Sequence, residues 1–232
     1  MNPDKVQIVR SGPSLKRLKL MSPVATHKRG KKYLIGYVGV IGEQEGLDLL
    51  LQAVKVIKTQ RNDVQVGIVG GGTDLEKIKQ LAEDLGVADI VHFYGRASDQ
   101  VLIEVLNTAD ICVNPDKPSE MNNLSTMNKI MEYMALKKPI VQFDLKEGRA
   151  SALEASLYVK HNDVIDFAKK ITYLLDNESE RTRMGEYGYN RVVNQLSWQH
   201  EQKHLVALYQ KVFGLSATQK TMVRIPIPPT SI

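Results

Sequence analysis

Cysteine is nearly absent from this 232-residue chain, since Cys112 is the only one and it falls in a short apolar stretch. A single thiol excludes a disulfide framework and is typical of proteins of the reducing cytosol. The sequence also lacks any apolar run approaching the roughly 18 residues of a membrane-spanning helix, and its first five residues lack the apolar core of a signal peptide. We therefore expect a cytoplasmic protein.

Neither sign of charge dominates strongly, because 31 Lys and Arg residues oppose 26 Asp and Glu residues and leave a net charge of +5. The basic residues are scattered, with small clusters at 28–32 and 137–138, and no zinc finger, aromatic RNA-binding motif or basic helix is present. We expect no nucleic-acid partner. The excess charge indicates a solvated surface or, alternatively, attraction to a nucleotide diphosphate or peripheral contact with the inner face of an anionic membrane.

Apolar, β-branched runs alternate with amphipathic helical patterns over the first 160 residues. Strands are predicted at residues 6–9, 33–38, 64–69, 90–93 and 110–114, and another begins at 140. Beyond about residue 158 the pattern is helical, with helices predicted at 164–175, 180–195 and 198–213. These patterns predict a doubly wound, Rossmann-like parallel α/β sheet over 1–160, a C-terminal helical annex over 161–214 and a loose tail over 215–232.

Residues 125–144 give the strongest indication of a site. A polar loop, 115–124, follows a predicted strand and ends at Ser125 and Thr126, two residue types that favour helix starts. A helix that begins at the carboxyl ends of parallel strands offers free N–H groups and a positive dipole end to a phosphate. Glu132, one turn further along, is placed to accept a hydrogen bond from a ribose hydroxyl, whereas an ion pair with Lys129 is its alternative role. Burial is predicted for the residues at helical spacing, Met127, Ile130, Met131 and Met134, which leaves Tyr133 on another face.

Two shorter motifs suggest other chemistry. Gly70, Gly71 and Gly72 follow a predicted strand as in a dinucleotide fingerprint, but Leu75 stands at the third glycine position. Residues 200–204 read His-Glu-Gln-Lys-His, the zinc-protease pattern, yet no Asp, Glu or His follows His204 to complete a site. A dinucleotide site and a zinc hydrolase are therefore the weaker hypotheses.

A series of short motifs occurs in order along residues 5–213. They are Ile35-Gly36-Tyr37-Val38-Gly39, Gly46-Leu47-Asp48, Val69-Gly70-Gly71-Gly72, Val91-His92-Phe93-Tyr94-Gly95-Arg96, Ala109-Asp110-Ile111, Glu132-Tyr133-Met134-Ala135, Pro139-Ile140-Val141 and Ser197-Trp198. Together they resemble the C-terminal, donor-binding half of retaining GT-B glycosyltransferases of group 1, also called family 4. The block 125–129 before Glu132 is most similar to that of bacterial enzymes that build surface polysaccharides.

The resemblance implies an enzyme that transfers a hexosyl-type sugar with retention from UDP or GDP to a glycan or lipid-linked acceptor, without a metal or other cofactor. It implies that Glu132 binds the donor ribose and that Gly95, Arg96 and Ala97 lie along the base. The residues that it implies at the diphosphate and sugar are Gly39, Val40, Gly42, Ser125, Thr126, Met127, Asn128 and Lys129. It assigns no catalytic residue.

The sequence departs from the family pattern at the diphosphate. The usual basic pair is replaced by Val40 and Glu45, and the usual acidic residue eight positions before Glu132 is replaced by Leu124. Either Lys129 or Arg96 supplies the missing positive charge, or donor affinity is weakened.

The chain also departs in length, because family enzymes have two such domains and the resemblance covers only the second. An N-terminal, acceptor-binding GT-B domain is therefore expected as a partner, with the terminal helices, 198–213 above all, facing it. The alternative is a non-catalytic nucleotide-sugar-binding module, or half of a split gene that needs a separate acceptor domain.

Overall fold

A single parallel sheet organises the protein, whose computed structural model describes residues 6–214. Its six strands lie side by side in the order β3-β2-β1-β4-β5-β6. All pairs are parallel, and the chain extends the sheet first on one side of β1 and then, from β4 onward, on the other. The strands are β1 (Tyr33–Val38), β2 (Val64–Val69), β3 (Val91–Gly95), β4 (Ile111–Asn114), β5 (Ile140–Phe143) and β6 (Ser156–Val159). This order confirms the predicted doubly wound fold and leaves a crevice at the carboxyl ends of β1 and β4.

Helices cover both faces of the sheet. The α-helices are α1 (Leu47–Lys58), α2 (Leu75–Asp84), α3 (Asp99–Thr108), α4 (Glu120–Leu124), α5 (Asn128–Ala135), α6 (Lys146–Ala152), α7 (Val164–Asp176), α8 (Glu178–Arg191) and α9 (Trp198–Phe213), with a π-helical turn at Val192–Leu196. One core cluster joins α1 and α7 to one face through residues such as Leu50 and Phe167, and another joins α3 and α5 to the opposite face through Leu106 and Met134. Every residue of β1 and β2 is buried, as expected for strands covered on both sides.

The predicted strand at 6–9 is wrong, because residues 6–10 form no regular secondary structure. Ile8 is 75% exposed and has no neighbouring strand to pair with. Residues 6–24, which we call the N-terminal segment, instead run over the helices. The Trp198 amide donates to the Pro13 carbonyl oxygen (3.1 Å), and the Val24 amide donates to the Thr108 hydroxyl (2.8 Å). This segment therefore links the start of α9 to the end of α3.

The helix predicted from residue 125 begins later. The first residue of α5 is Asn128, its N-cap is Met127, and no side chain caps it. The Ser125 hydroxyl instead donates to the Met121 carbonyl oxygen (2.7 Å) at the end of α4, a short helix within the predicted loop 115–124. Tyr133, on a different face of α5 from the predicted buried residues, is fully buried too, and its hydroxyl accepts a hydrogen bond from the Val38 amide of β1 (2.9 Å).

The helices predicted at 164–175 and 198–213 correspond to α7 and α9, and the one at 180–195 corresponds to α8 and the π turn. Strand β6 was missed because it is only four residues long, too short for its apolar residues to form a clear strand pattern, and it lies at the edge of the sheet with Leu157 and Tyr158 half-buried. The predicted tail, 215–232, lies outside the described residues. Among the described helices, none combines the length and the apolar character needed to cross a bilayer.

Candidate functional site

The loops that follow β1, β2 and β3 are joined through their main chains at the carboxyl edge of the sheet. The Gly39 amide donates to the Val69 carbonyl oxygen (3.1 Å), and the Gly70 amide donates to the Gly95 carbonyl oxygen (2.8 Å). A Cβ atom on Gly70 would overlap the Gly39 carbonyl oxygen. The close contact between the β1 and β2 loops therefore requires a glycine at position 70. This packing explains the glycine without a dinucleotide-binding role.

The start of α5 lies beside the first of these loops. A Cβ atom on Gly39 would lie 3.4 Å from the Lys129 Cε atom. On the other side, the buried Asn114 side chain, at the end of β4, donates from Nδ2 to the Met127 sulfur (3.2 Å). The structure therefore brings Gly39, Met127 and Lys129, three residues that the family resemblance assigns to the diphosphate and sugar, together at the crevice between β1 and β4.

Lys129 is already paired with a carboxylate in this crevice. Its Nζ donates to Asp116 Oδ1 (2.7 Å) and lies 5.0 Å from the centre of the Tyr37 ring. The Lys129 and Asp116 side chains are only 13% and 7% exposed. Burial raises the pKa of Asp116, which opposes the effect of the adjacent ammonium. Asp116 therefore partly neutralises the charge of Lys129. The sequence offers no indication of this ion pair, because the two residues lie in different elements.

Glu45 adds a second acidic group close to the same loop. A Cβ atom on Gly42 would lie 2.9 Å from Glu45 Oε2, and this oxygen is buried without a hydrogen-bond partner within residues 6–214. Val40, the other replacement of the basic pair, is 59% exposed. These two positions therefore supply no cation beside the β1 loop.

Arg96 provides a positive charge from the opposite side of the glycine loops. It follows Gly95, the last residue of β3, whose positive φ of 64° favours glycine. A Cβ atom on Gly71 would lie 3.0 Å from Arg96 Cγ, so the arginine side chain lies over the β2 loop. Arg96 is exposed and forms no ion pair within the described part of the chain, which leaves its charge available to an anion.

Glu132 is held by an arginine from the N-terminal segment rather than by Lys129. Arg17 Nη1 donates to Glu132 Oε1 (2.7 Å), while Nε and Nη2 of the same guanidinium donate to the two oxygens of Asp99 (2.9 and 2.7 Å). Asp99 is the first residue of α3, shortly after the loop 95–97. The Arg17 guanidinium therefore connects the predicted ribose-binding residue to the start of α3, next to the predicted base-binding positions. No local pattern around Arg17 indicates this contact.

Arg10, from the same segment, lies at the start of α5. Its guanidinium contacts Glu147 and donates to the Thr126 hydroxyl at 3.4 Å, while its amide donates to Glu201 Oε2 (2.9 Å). Glu201 is the glutamate of the His-Glu-Gln-Lys-His motif, and His200 Nε2 lies 2.9 Å from the Val193 carbonyl oxygen. No group of three or more potential metal-binding side chains occurs within residues 6–214. The motif therefore links α9 to the N-terminal segment, and these contacts lend no support to a zinc site.

An open cleft of about 430 Å³ lies next to Gly42, between α1 and α2. Four carboxylates and two lysines line it, so its local charge is negative and disfavours an anion. The charged residues that line it are Glu43, Asp48, Asp74, Lys77, Asp84 and Lys117. The start of α5 is therefore the better candidate for a phosphate-binding site.

Comparison with known proteins matches this chain to one family. The family model described as "Glycosyl transferases group 1" matches residues 22–191. The chain is 30% identical over 226 residues to the MMP alpha-(1->4)-mannosyltransferase of Mycolicibacterium hassiacum, covering 92% of this chain and 50% of that relative. It spans about half the length of the curated relatives that it matches.

Two solved structures share the fold. The structure of Anabaena HepE in complex with UDP superposes with a TM-score of 0.76 at 12% identity, covering 88% of this chain and 57% of HepE. The C-terminal domain of LpcC, a group 1 family glycosyl transferase of Francisella tularensis, superposes with a TM-score of 0.65 at 18% identity, covering 81% of this chain and 100% of that domain.

Proposed function

Because this chain belongs to the group 1 glycosyl transferases and has the fold of their C-terminal GT-B domain, we propose that it binds a nucleotide-diphosphate sugar at the start of α5. The observation that carries this proposal is the position of Glu132 in the same helix as Lys129, which lies against Gly39 at the crevice between β1 and β4. In such doubly wound sheets, ligands bind at this switch point.

We assign the parts of the donor to this edge of the sheet. The ribose binds the Glu132 carboxylate, and the base lies along Gly95, Arg96 and Ala97. The diphosphate and the sugar lie between the free amides at the helix start and the β1 loop, because the helix dipole favours negative charge there. The residues assigned to them are Gly39, Val40, Gly42, Ser125, Thr126, Met127, Asn128 and Lys129. UDP is supported as a ligand by the structure of HepE, which was solved with UDP.

We further propose that the whole enzyme transfers a hexosyl sugar with retention to a glycan or lipid-linked acceptor, without a metal. The name of the mannosyltransferase relative supports a hexosyl donor. An N-terminal domain would hold the acceptor, since this chain spans only about half of its relatives. We also propose a cytoplasmic location, with contact at the inner face of the membrane if the acceptor is lipid-linked. A non-catalytic donor-binding module is the second candidate, favoured by Glu45 and Asp116, whose negative charges oppose stabilisation of a leaving diphosphate.

Glu132→Ala tests the proposed donor site. A hydrogen bond between a ribose hydroxyl and a carboxylate contributes about 1.5 to 3 kcal/mol, so the variant should bind UDP or GDP roughly ten- to a hundredfold more weakly. Calorimetric titration of the full chain measures this change. The control is Glu186→Ala, because Glu186 also forms one helix-surface ion pair, with Lys137 (2.7 Å), and lies on α8 away from the crevice. Equal affinities of wild type and Glu132→Ala, or no binding of either nucleotide to the wild type, would contradict the proposal.

The charge hypothesis predicts that Arg96→Ala and Lys129→Ala weaken binding of UDP more than binding of uridine, because only UDP carries the diphosphate. Each loss should be about tenfold on UDP if the side chain makes a charge-assisted contact. Lys77→Ala is the control, since Lys77 is an exposed cation of the acidic cleft. Unfolding temperatures accompany the titrations, because Lys129→Ala also leaves the buried Asp116 unpaired. Equal losses on both ligands would show that neither cation contacts the diphosphate.

A further inference from the structure

Arg17 is fixed in space by its own neighbours in the N-terminal segment. Leu18 is only 4% exposed and belongs to the core cluster between α3 and α5, and its amide donates to the Ser14 carbonyl oxygen (3.1 Å). Three residues further on, the Met21 amide donates to Asn107 Oδ1 (3.1 Å), near the end of α3. The segment is therefore anchored on both sides of Arg17, and its guanidinium has a defined position beside α3 and α5.

Of the two carboxylates that contact Arg17, Glu132 is the proposed ribose-binding group and Asp99, at the start of α3, follows the proposed base loop 95–97 by two residues. Arg17 donates hydrogen bonds from Nε and Nη2 to Asp99 and from Nη1 to Glu132. The planar guanidinium can serve both at once, because its five donors form a rigid fork. A lysine ammonium lacks this geometry. Glu132 Oε2 accepts no hydrogen bond within residues 6–214, so one carboxylate oxygen remains open while the other is held.

Resting on the proposed function, we propose that Arg17 is a positioning residue of the nucleoside site, which orients the Glu132 carboxylate toward the donor ribose and fixes it relative to the base loop 95–97. Arg17 acts through Glu132 and does not contact the donor. Its side chain is 37% exposed, but two carboxylates already neutralise its single charge, so little remains for a phosphate. The hydrogen bonds from the Arg17 guanidinium also lower the pKa of Asp99.

Positioning through Glu132 has a consequence that a direct phosphate contact lacks. Only ligands with ribose hydroxyls engage the carboxylate. Arg17→Ala should therefore weaken binding of UDP by about three- to tenfold, the scale of one hydrogen bond. For 2′,3′-dideoxy-UDP, which has the same diphosphate and base but no hydroxyl for Glu132, the same substitution should change affinity by less than about twofold. In a Glu132→Ala background, Arg17→Ala should have no further effect on UDP binding.

The experiment is calorimetric titration of UDP and 2′,3′-dideoxy-UDP into the full chain and its variants. If Arg17→Ala folds poorly, Arg17→Lys replaces it, because the lysine keeps the charge but cannot hold both carboxylates. Arg17→Lys should lose part of the UDP affinity and again spare the dideoxy ligand. Arg183→Ala is the matched control. Arg183 donates from Nε and Nη2 to Glu180 (both 2.9 Å) and from Nη1 to Glu154 (2.9 Å), the same arrangement on α8.

Two results would overturn the inference while leaving the proposed function intact. One is an equal loss on both ligands, which would indicate a phosphate contact or a general structural role. The other is unchanged UDP affinity in Arg17→Ala when Glu132→Ala weakens binding. A wild type that binds neither UDP nor GDP, or a Glu132→Ala variant with full affinity, overturns the proposed function itself and the role of Arg17 with it.

Discussion

Gly70→Ala should destabilise the protein by about 3 to 5 kcal/mol, because the substitution adds backbone strain to steric overlap. Gly70 has φ of 142°, a conformation that residues with a side chain rarely adopt, and its Cβ would overlap the Gly39 carbonyl oxygen. The Gly70 amide also donates a hydrogen bond to the Gly95 carbonyl oxygen (2.8 Å), so the β2 loop has little freedom to move away from Gly39. Separation of the β1 and β2 loops would also displace Gly39 from Lys129, so nucleotide affinity should fall in the folded fraction.

Urea-induced unfolding measures this effect, with Gly86→Ala as the matched control. Gly86 has φ of 68° and no atom within 4 Å of the position that its Cβ would occupy, so its substitution introduces backbone strain without overlap. We expect a loss of about 1 kcal/mol for Gly86→Ala. If Gly70→Ala costs no more than this control, the loops are not held together as the structure describes.

The glycines that follow β2 show what local sequence can and cannot reveal. Gly70, Gly71 and Gly72 directly follow the apolar strand β2, and the sequence by itself suggested only a comparison with a dinucleotide fingerprint. The sequence could not indicate that the space beside Gly70 is filled by the main chain of Gly39, because this contact depends on the pairing of β1 with β2. A phosphate-binding loop and a packed loop have the same composition, so only the tertiary structure separates them.

The predictability of the elements follows the strength of their apolar patterns. Strands β1 and β2 are buried along their whole length and were predicted with the observed bounds. Helix α9 was also predicted with the observed bounds, since Leu205 and Leu208 recur at helical spacing and are half-buried, although no residue of this helix is fully buried. Residues 6–9 have a similar apolar composition but no strand beside them, and the prediction failed there because strand formation requires a pairing partner.

Only the local part of the candidate site was predicted. Glu132 was predicted from its place in a helix and Lys129 from the family resemblance, and the structure places Lys129 beside Gly39. Their charged partners were not foreseen. Asp116 lies 13 residues before Lys129, and Arg17 lies 115 residues before Glu132, so each ion pair depends on how distant parts of the chain fold together. The resemblance to the family covered the N-terminal segment but assigned no role to Arg10 or Arg17.

Exposed apolar side chains on α9 bear on the expected partner domain. Val206, Tyr209, Val212 and Phe213 are each more than 50% exposed, and the last two aromatic rings of this helix, Tyr209 and Phe213, stack on each other with centroids 6.0 Å apart. Near the crevice, Val40, Met121 and Leu124 are also more than half exposed. Apolar clusters of this kind are typical of surfaces that another domain or chain covers. They support the proposal that an N-terminal domain packs here and closes the crevice between β1 and β4.

The 232 residues alone should therefore bind the donor yet transfer no sugar at a measurable rate. Holding donor and acceptor in reactive geometry lowers the barrier by about 7 to 11 kcal/mol, and an acceptor-binding wall contributes to this effect. This chain spans about half the length of its curated relatives, and its described part supplies the proposed donor site only.

Addition of the N-terminal domain of a group 1 relative should restore transfer from a UDP- or GDP-sugar to a glycan or lipid-linked acceptor. The measurement is release of UDP or GDP that depends on acceptor, with Glu132→Ala in the mixture as the control that should abolish most of it. Turnover by the chain alone at ordinary enzyme rates would show that the active site is complete within these residues.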